Sequence, residues 1–528
     1  MRMLVLLVLC SLTVAGQPLR KRPAAEAYAV PDLKVLMPAG AADLRSLVER
    51  YQLDREVLAR FYDVEISPAR EASLRQFFEA WNTALDRVAF DSLDTHGRVD
   101  YVLLRKELRR QLRQLTLMRK RQQEITELVP FAGELLALKE TRQRVDPVDP
   151  AKLAAALNAI HKQIEALSKR IRAEGAQAFA IKKTAAARAV STIDLLQRVL
   201  RDWNAFYSGY DPAFTWWMKD PAAKLDKQLS EYAKLVRERV VGLKPDDRDT
   251  IIGDPVGREA LLEDLEEEMI PYSPDQLVAI ANREFAWCEQ EMLKASRELG
   301  FGEDWKKALE HVKNLHVAPG AQPALVLDLA IEAIEYLEKH QLITVPSQAR
   351  DYWRMRMMSP ERQRLNPFFL GGESIIVSYP TDSMTHEEKM MSMRGNNPHF
   401  SRSTVFHELV PGHHLQFYMN ARNRPYRRVF STPFWTEGWA FYWEMLLWDK
   451  GFPRGPEDRI GMLFWRMHRC ARIIFSLSFH LEKMTAQECV KFLIDRVGHE
   501  PENAAAEVRR SFEGDYPPLY QSAYMLGA

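Results

Sequence analysis

Leu153, Leu157, Ile160, Ile164, Leu167 and Ile171 recur at steps of four, three, four, three and four residues. That spacing lays the apolar side chains along one seam of a helix, as in a coiled coil or a long helical hairpin. A strand, whose faces alternate at every second residue, cannot use it. The rest of the chain leans the same way: glycine is only 23 of 528 residues, and stretches of Leu, Ala, Glu, Arg and Gln favour helix. Helical patterning runs from about residue 42 to 200, with Tyr101 to Glu124 as one Arg- and Lys-rich helix and Val145-Asp146-Pro147-Val148-Asp149-Pro150 as the break before the seam. Ser273-Pro274-Asp275-Gln276 and Ser359-Pro360-Glu361 read as helix starts. The expected fold is mainly α, a large helical body.

Hydrophobic residues at 46% and charged ones at 27% are ordinary for a globular chain and exclude a disordered, collagen-like or polytopic membrane protein. Lys and Arg number 73 against 72 Asp and Glu, so no global field selects nucleic acid. The basic helix carries no interleaved aromatics for base stacking, so its charges read as a solvated face and no nucleic-acid partner is expected. Arg2 followed by the 12 apolar residues Leu4 to Ala15 reads as a signal peptide over residues 1–16, too short for a stable membrane span. Leu9 before Cys10 makes a poor lipidation site, so the expectation is export to the periplasm or beyond, with a lipoprotein as the lesser alternative. Cys288, Cys470 and Cys489 remain, an odd and widely spaced set that reads as buried thiols rather than a disulfide framework. The expected organisation is an N-terminal helical, coiled-coil-like part over 17–200 and a catalytic part over 201–528. The aromatic stretch from Trp203 to Trp217 reads as a packed hinge, or functionally as one wall of a peptide-binding cleft.

One segment departs from the helical habit. Gly371-Gly372 precedes the run Ser374-Ile375-Ile376-Val377-Ser378-Tyr379, ended by Pro380, which is the most convincing strand in the chain. It is expected in a small antiparallel sheet, with Ser374 to Tyr379 as an edge against which a peptide substrate's backbone pairs.

Phe406-His407-Glu408-Leu409-Val410-Pro411-Gly412-His413-His414 places three of the 13 histidines within eight positions, beside a glutamate. A catalytic zinc takes three protein ligands and keeps one open position. In the HExxH arrangement two histidines one turn apart bind the metal and the Glu between them is the general base. Here the i+4 position is Pro411, which cannot be a ligand. Two residues inserted as a helical bulge convert i+4 into i+6, which pairs His407 with His413; Pro411 and Gly412 suit that distortion. His414, two undistorted turns from His407, is about 10.5 Å along the axis, too far to share an ion. The third ligand is expected from Thr436-Glu437-Gly438-Trp439-Ala440-Phe441-Tyr442-Trp443-Glu444, with Glu437 in the first turn of a second helix. Glu444, on the same face, is suited to orienting a ligand histidine.

The Phe-His-Glu…Pro-Gly-His-His-Leu-Gln segment followed by Thr-Glu-Gly-Trp-Ala resembles the bacterial family known as domain of unknown function 885. That family is placed with the gluzincin-type zinc metallopeptidases and is more distantly similar to the thimet oligopeptidase, angiotensin-converting enzyme and Taq-type carboxypeptidase group. The resemblance covers roughly residue 42 to the C-terminus. It implies a helical zincin-like body, Zn2+ as cofactor, His407, His413 and Glu437 as ligands and Glu408 as general base. Relatives often carry an aromatic residue at the position of His414, which argues against it as an obligatory ligand. Pro518-Leu519-Tyr520-Gln521-Ser522-Ala523-Tyr524-Met525-Leu526-Gly527 resembles a late segment of the family and implies Tyr524 as oxyanion donor, with Tyr520 as the alternative. The function so implied is zinc-dependent hydrolysis of exported or extracellular oligopeptides. The alternative is a non-catalytic metal- or peptide-binding export protein on a decayed peptidase scaffold, which the intact His407, Glu408, His413 and Glu437 oppose.

Overall fold

A computed structural model describes residues 28–37, 43–247, 249–363, 366–513 and 516–528. The expected signal peptide and Cys10 lie outside the described residues. The fold is mainly α. Among the described residues no helix is long and apolar enough to cross a membrane.

Fourteen elements position the site or its support: α1 (Thr95–Glu124), α2 (Pro150–Glu174), α3 (Lys183–Tyr207), α4 (Pro212–Val236), α5 (Gly257–Glu267), α6 (Pro274–Glu298), β1 (Arg354–Met357), β2 (Ser374–Val377), α7 (Pro398–Glu408), α8 (His413–Asn420), α9 (Pro433–Asp449), α10 (Pro456–His480), α11 (Pro501–Glu513) and α12 (Tyr520–Gly527). The apolar seam lies on α2. Its Leu157, Ile160, Ile164 and Ile171 are buried, with Leu153 and Leu167 partly so. The helix begins where Asp149 caps it and Pro150 takes the first position. Its partner is α4 rather than an adjacent hairpin arm, and α4 packs in turn on α3. Within the aromatic stretch, Trp203 and Phe214 are core residues, whereas Tyr210, Trp216 and Trp217 are exposed.

The basic face of α1 is not simply solvated. Arg113 pairs with Glu267 at 2.6 Å and with Asp264, and Lys106 meets Glu268 at 2.9 Å, so the basic helix clamps the acidic α5. Hydrophobic cores change over between Leu243 and Ile251, and α3 runs unbroken through residue 200. Asp100 of α1, fully buried, accepts from Tyr426 Oη at 2.8 Å and Arg427 Nε at 2.7 Å. This ties the N-terminal helices to the segment linking α8 and α9.

β1 and β2 are the only strands among the described residues, and they correct the antiparallel expectation. They run parallel, pairing Arg354 with Ser374 through Met357 with Val377. After Met357 the chain passes through a short helix, Pro360–Gln363, which lets it re-enter the sheet in the same direction. Antiparallel pairing is confined to a bridge between Leu370 and Ile376. Around the sheet and α7, the long α10 is buried on almost every face and contacts α6, α7 and α12. Cys288, Cys470 and Cys489 are free and buried.

Candidate metal centre

Asn397 caps α7 by accepting from His399 N and Phe400 N, and Pro398 takes the first helical position. From Phe400 to Glu408 every residue of α7 is buried, so His407 and Glu408 are delivered into the interior. The helix then stops instead of continuing through a bulge, which corrects that expectation. Gly412 N donates to Phe406 O at 3.0 Å and Leu415 N to Leu409 O at 3.2 Å, each spanning six residues where a helix spans four. The two inserted residues thus widen the ladder as the spacing required, but regular helix ends at Glu408 and resumes at His413. Glycine is needed at 412 because a Cβ there would overlap the His407 carbonyl.

α9 approaches alongside, capped by Thr432 with Pro433 at its first position. Glu437 sits in the second turn, not the first. Its Oε2 lies 3.5 Å from His407 Nε2 and 3.3 Å from His413 Nε2. Two ligands about 2.1 Å from a tetrahedral zinc stand about 3.4 Å apart, which both Glu437–imidazole separations match; His407, His413 and Glu408 also bring one ligand atom each within 4.8 Å of one another. Glu437 Oε2 is buried without a hydrogen-bond partner among the described residues. Two imidazoles and a carboxylate are a donor set that a divalent transition metal can take, zinc among them. Glu408 stands to one side, its Oε2 3.9 Å from His413 Nε2.

Glu444 Oε1 accepts from His407 Nδ1 at 2.7 Å, which fixes the tautomer and leaves Nε2 for a metal. The same oxygen accepts from Arg469 Nη2 at 3.1 Å. Electrostatics fit a cation. Burial opposes charge on His407, yet Glu437 and Glu444 raise its pKa to about 9. Burial pushes the Glu437 carboxyl up, but His413 and His407 hold it well below the usual carboxylate range. For Glu408 burial dominates over the pull of His407 and His413, and its pKa is raised.

Both tyrosines reach the centre on α12. Tyr524 lies against the His407 ring, centroids 6.1 Å apart, and burial raises its phenol to about 12. Tyr520 instead donates to Glu437 Oε1. His414 is not turned to the metal: its Nε2 lies 3.1 Å from the Ala349 carbonyl oxygen. β2 does not offer the expected free edge. Ile376 exchanges both backbone hydrogen bonds with Leu370, at 2.7 and 3.0 Å, and Tyr379 N donates to Gln363 Oε1 at 3.0 Å. Sequence reasoning missed three neighbours. A Cβ on Gly371 would overlap the Glu408 carboxylate, and Arg469 and Arg472 each place a guanidinium 4.4 Å from the Tyr524 ring centre. The Gly371-Gly372 pair was a visible signal; the arginines, on α10, carried none.

A family profile matches residues 59–528. The chain belongs to DUF885, a family of bacterial proteins of unknown function. Comparison with curated proteins finds no match. Two solved structures of candidate lipoproteins share the fold. The one from Shewanella oneidensis, of unknown function, is 18% identical, with TM-score 0.66 and 92% of each chain covered. That from Colwellia psychrerythraea is 15% identical, with TM-score 0.54, covering 92% of this DUF885 chain and 91% of its own.

Proposed function

We propose that this DUF885 protein is an exported zinc-dependent peptidase in which Glu408 is the general base. One observation carries the reading: the buried Oε2 of Glu437, with no hydrogen-bond partner among the described residues, faces two imidazole nitrogens at 3.3 and 3.5 Å. A carboxylate oxygen so placed is costly unless a cation satisfies it. Zinc held by His407, His413 and Glu437 would supply an acidified water and a Lewis acid for the scissile carbonyl.

The remaining work falls to the chain's own side chains. Glu408, its basicity raised by burial, takes a proton from the attacking water and returns it to the leaving amine. Tyr524 keeps its phenolic proton and donates a hydrogen bond through it to the developing oxyanion, with Arg469 and Arg472 stacked on its ring. Glu444 keeps His407 in the orientation a ligand needs. The motif's similarity to gluzincin-type peptidases supports peptides as substrates, and the candidate lipoproteins that share the fold support export.

The test is a library of peptides incubated with zinc-loaded protein, products identified by mass spectrometry. Wild type should cleave, and Glu408→Gln should not. A zinc-loaded wild type that cleaves no peptide would overturn the reading and point to a metal-binding protein on a decayed scaffold.

A further inference from the structure

We infer that Tyr520 is a positioning residue of the metal centre, holding one oxygen of Glu437 so that only the other is presented to the ion. The inference rests on Glu437 being the third ligand. A carboxylate has two equivalent oxygens and can bind a metal through either or both. In this protein they are made inequivalent. Tyr520 Oη donates to Oε1, whereas Oε2 faces His407 Nε2 and His413 Nε2 and has no hydrogen-bond partner among the described residues. With Oε1 engaged, Glu437 is confined to binding through one oxygen, and the fourth position of a tetrahedral ion stays open for water.

The same contact separates the roles of the two tyrosines. A phenol has one proton to donate. Tyr520 gives it to Glu437 and cannot also give it to an oxyanion, whereas the Tyr524 hydroxyl has no hydrogen-bond partner among the described residues. The pair sit one turn apart on α12, rings 5.9 Å between centroids. Tyr520 is further held by Tyr516, whose ring lies 4.1 Å away. α12 is seated on α9 by backbone contact, since a Cβ on Gly438 would overlap Gly527 and one on Gly527 would overlap the Phe434 carbonyl. Gly438 is the residue after Glu437, so the helix that carries the tyrosines is docked beside the ligand it holds.

Zinc affinity measured by chelator competition tests this, together with the visible absorption of the Co2+-loaded protein, whose intensity reports coordination number. Tyr520→Phe keeps the ring and removes the hydroxyl. It should weaken metal binding by about 10–100-fold, the usual effect of losing a partner of a ligand, and should lower Co2+ absorption as Glu437 becomes bidentate. Tyr524→Phe should leave affinity within about twofold of wild type, because its hydroxyl makes no hydrogen bond to His407, His413 or Glu437 among the described residues. Wild-type affinity and spectrum in Tyr520→Phe, with binding lost in Glu437→Ala, would overturn the inference and leave the ligand assignment standing. Equal weakening in both tyrosine variants would also overturn it, since that reports undocking of α12. Undiminished binding in Glu437→Ala would overturn the ligand assignment itself.

Discussion

Glu408 must lie near the bound water without taking a place on the metal. Its carboxylate is on the flank of the two imidazoles, with the backbone of Gly371 against its other side. Glu408→Gln keeps that shape but cannot accept a proton. It should retain zinc and fold and lose about 10²–10⁴-fold in turnover, checked by kcat alongside metal content. Near-normal turnover would remove Glu408 from the mechanism, and loss of zinc would make it a ligand. Gly371→Ala probes the other side. Its methyl group would overlap both the carboxylate and the backbone of Glu408, so kcat should fall further than zinc content does. These roles were unequally legible. His407 and Glu408 followed from residue type and spacing. His413 required Pro411 to disqualify the i+4 position. Gly371 stood out only as a strand signal, because its function depends on a contact 37 residues away in sequence. Nothing in the sequence near Tyr524 announces the arginines stacked on it, which come from α10.

Among the elements, those decided by local chemistry were readable and those decided by tertiary packing were not. The capping box at Ser273 and Gln276 and the seam of α2 appear where residue type and periodicity put them. Sheet direction did not, because two four-residue strands carry no signal of which way the connection returns. A helix bulge and a helix break likewise place His413 at the same offset, and packing of Gly412 on the His407 carbonyl selects the break. The docking of α12 on α9 yields a prediction at this scale. Gly527→Ala introduces a methyl group between two backbones. It should destabilise the protein by about 1–3 kcal/mol, seen in the urea midpoint, and reduce turnover more than Tyr524→Phe does, because both tyrosines are displaced. Unchanged stability and turnover would mean the helix adjusts freely.

Over the whole molecule, acid sensitivity follows from histidines buried away from the metal centre. Burial, reinforced by Arg121, pushes His480 down to about 4, and burial pushes His499 down to about 3. Unfolded imidazoles titrate near 6.5, so below that pH the unfolded chain binds protons that the folded chain refuses. Stability is therefore full above about pH 6.5 and falls as the pH drops towards those lower values, by up to about 1.4 kcal/mol per pH unit for each such histidine. His480→Gln should flatten the dependence of the urea midpoint on pH between about 6.5 and 5. An unchanged slope would show that His480 takes up its proton in the folded state.

The central claim is a three-residue metal centre built across α7, α8 and α9, and elemental analysis of the purified protein tests it most directly. The wild type should carry about one zinc per chain, as a site with three protein ligands requires. His407→Ala, His413→Ala and Glu437→Ala should each lose it, and His414→Ala should keep it because that side chain is held by the Ala349 carbonyl. A wild type without bound metal after zinc loading, or full zinc in His413→Ala with loss in His414→Ala, would contradict the account.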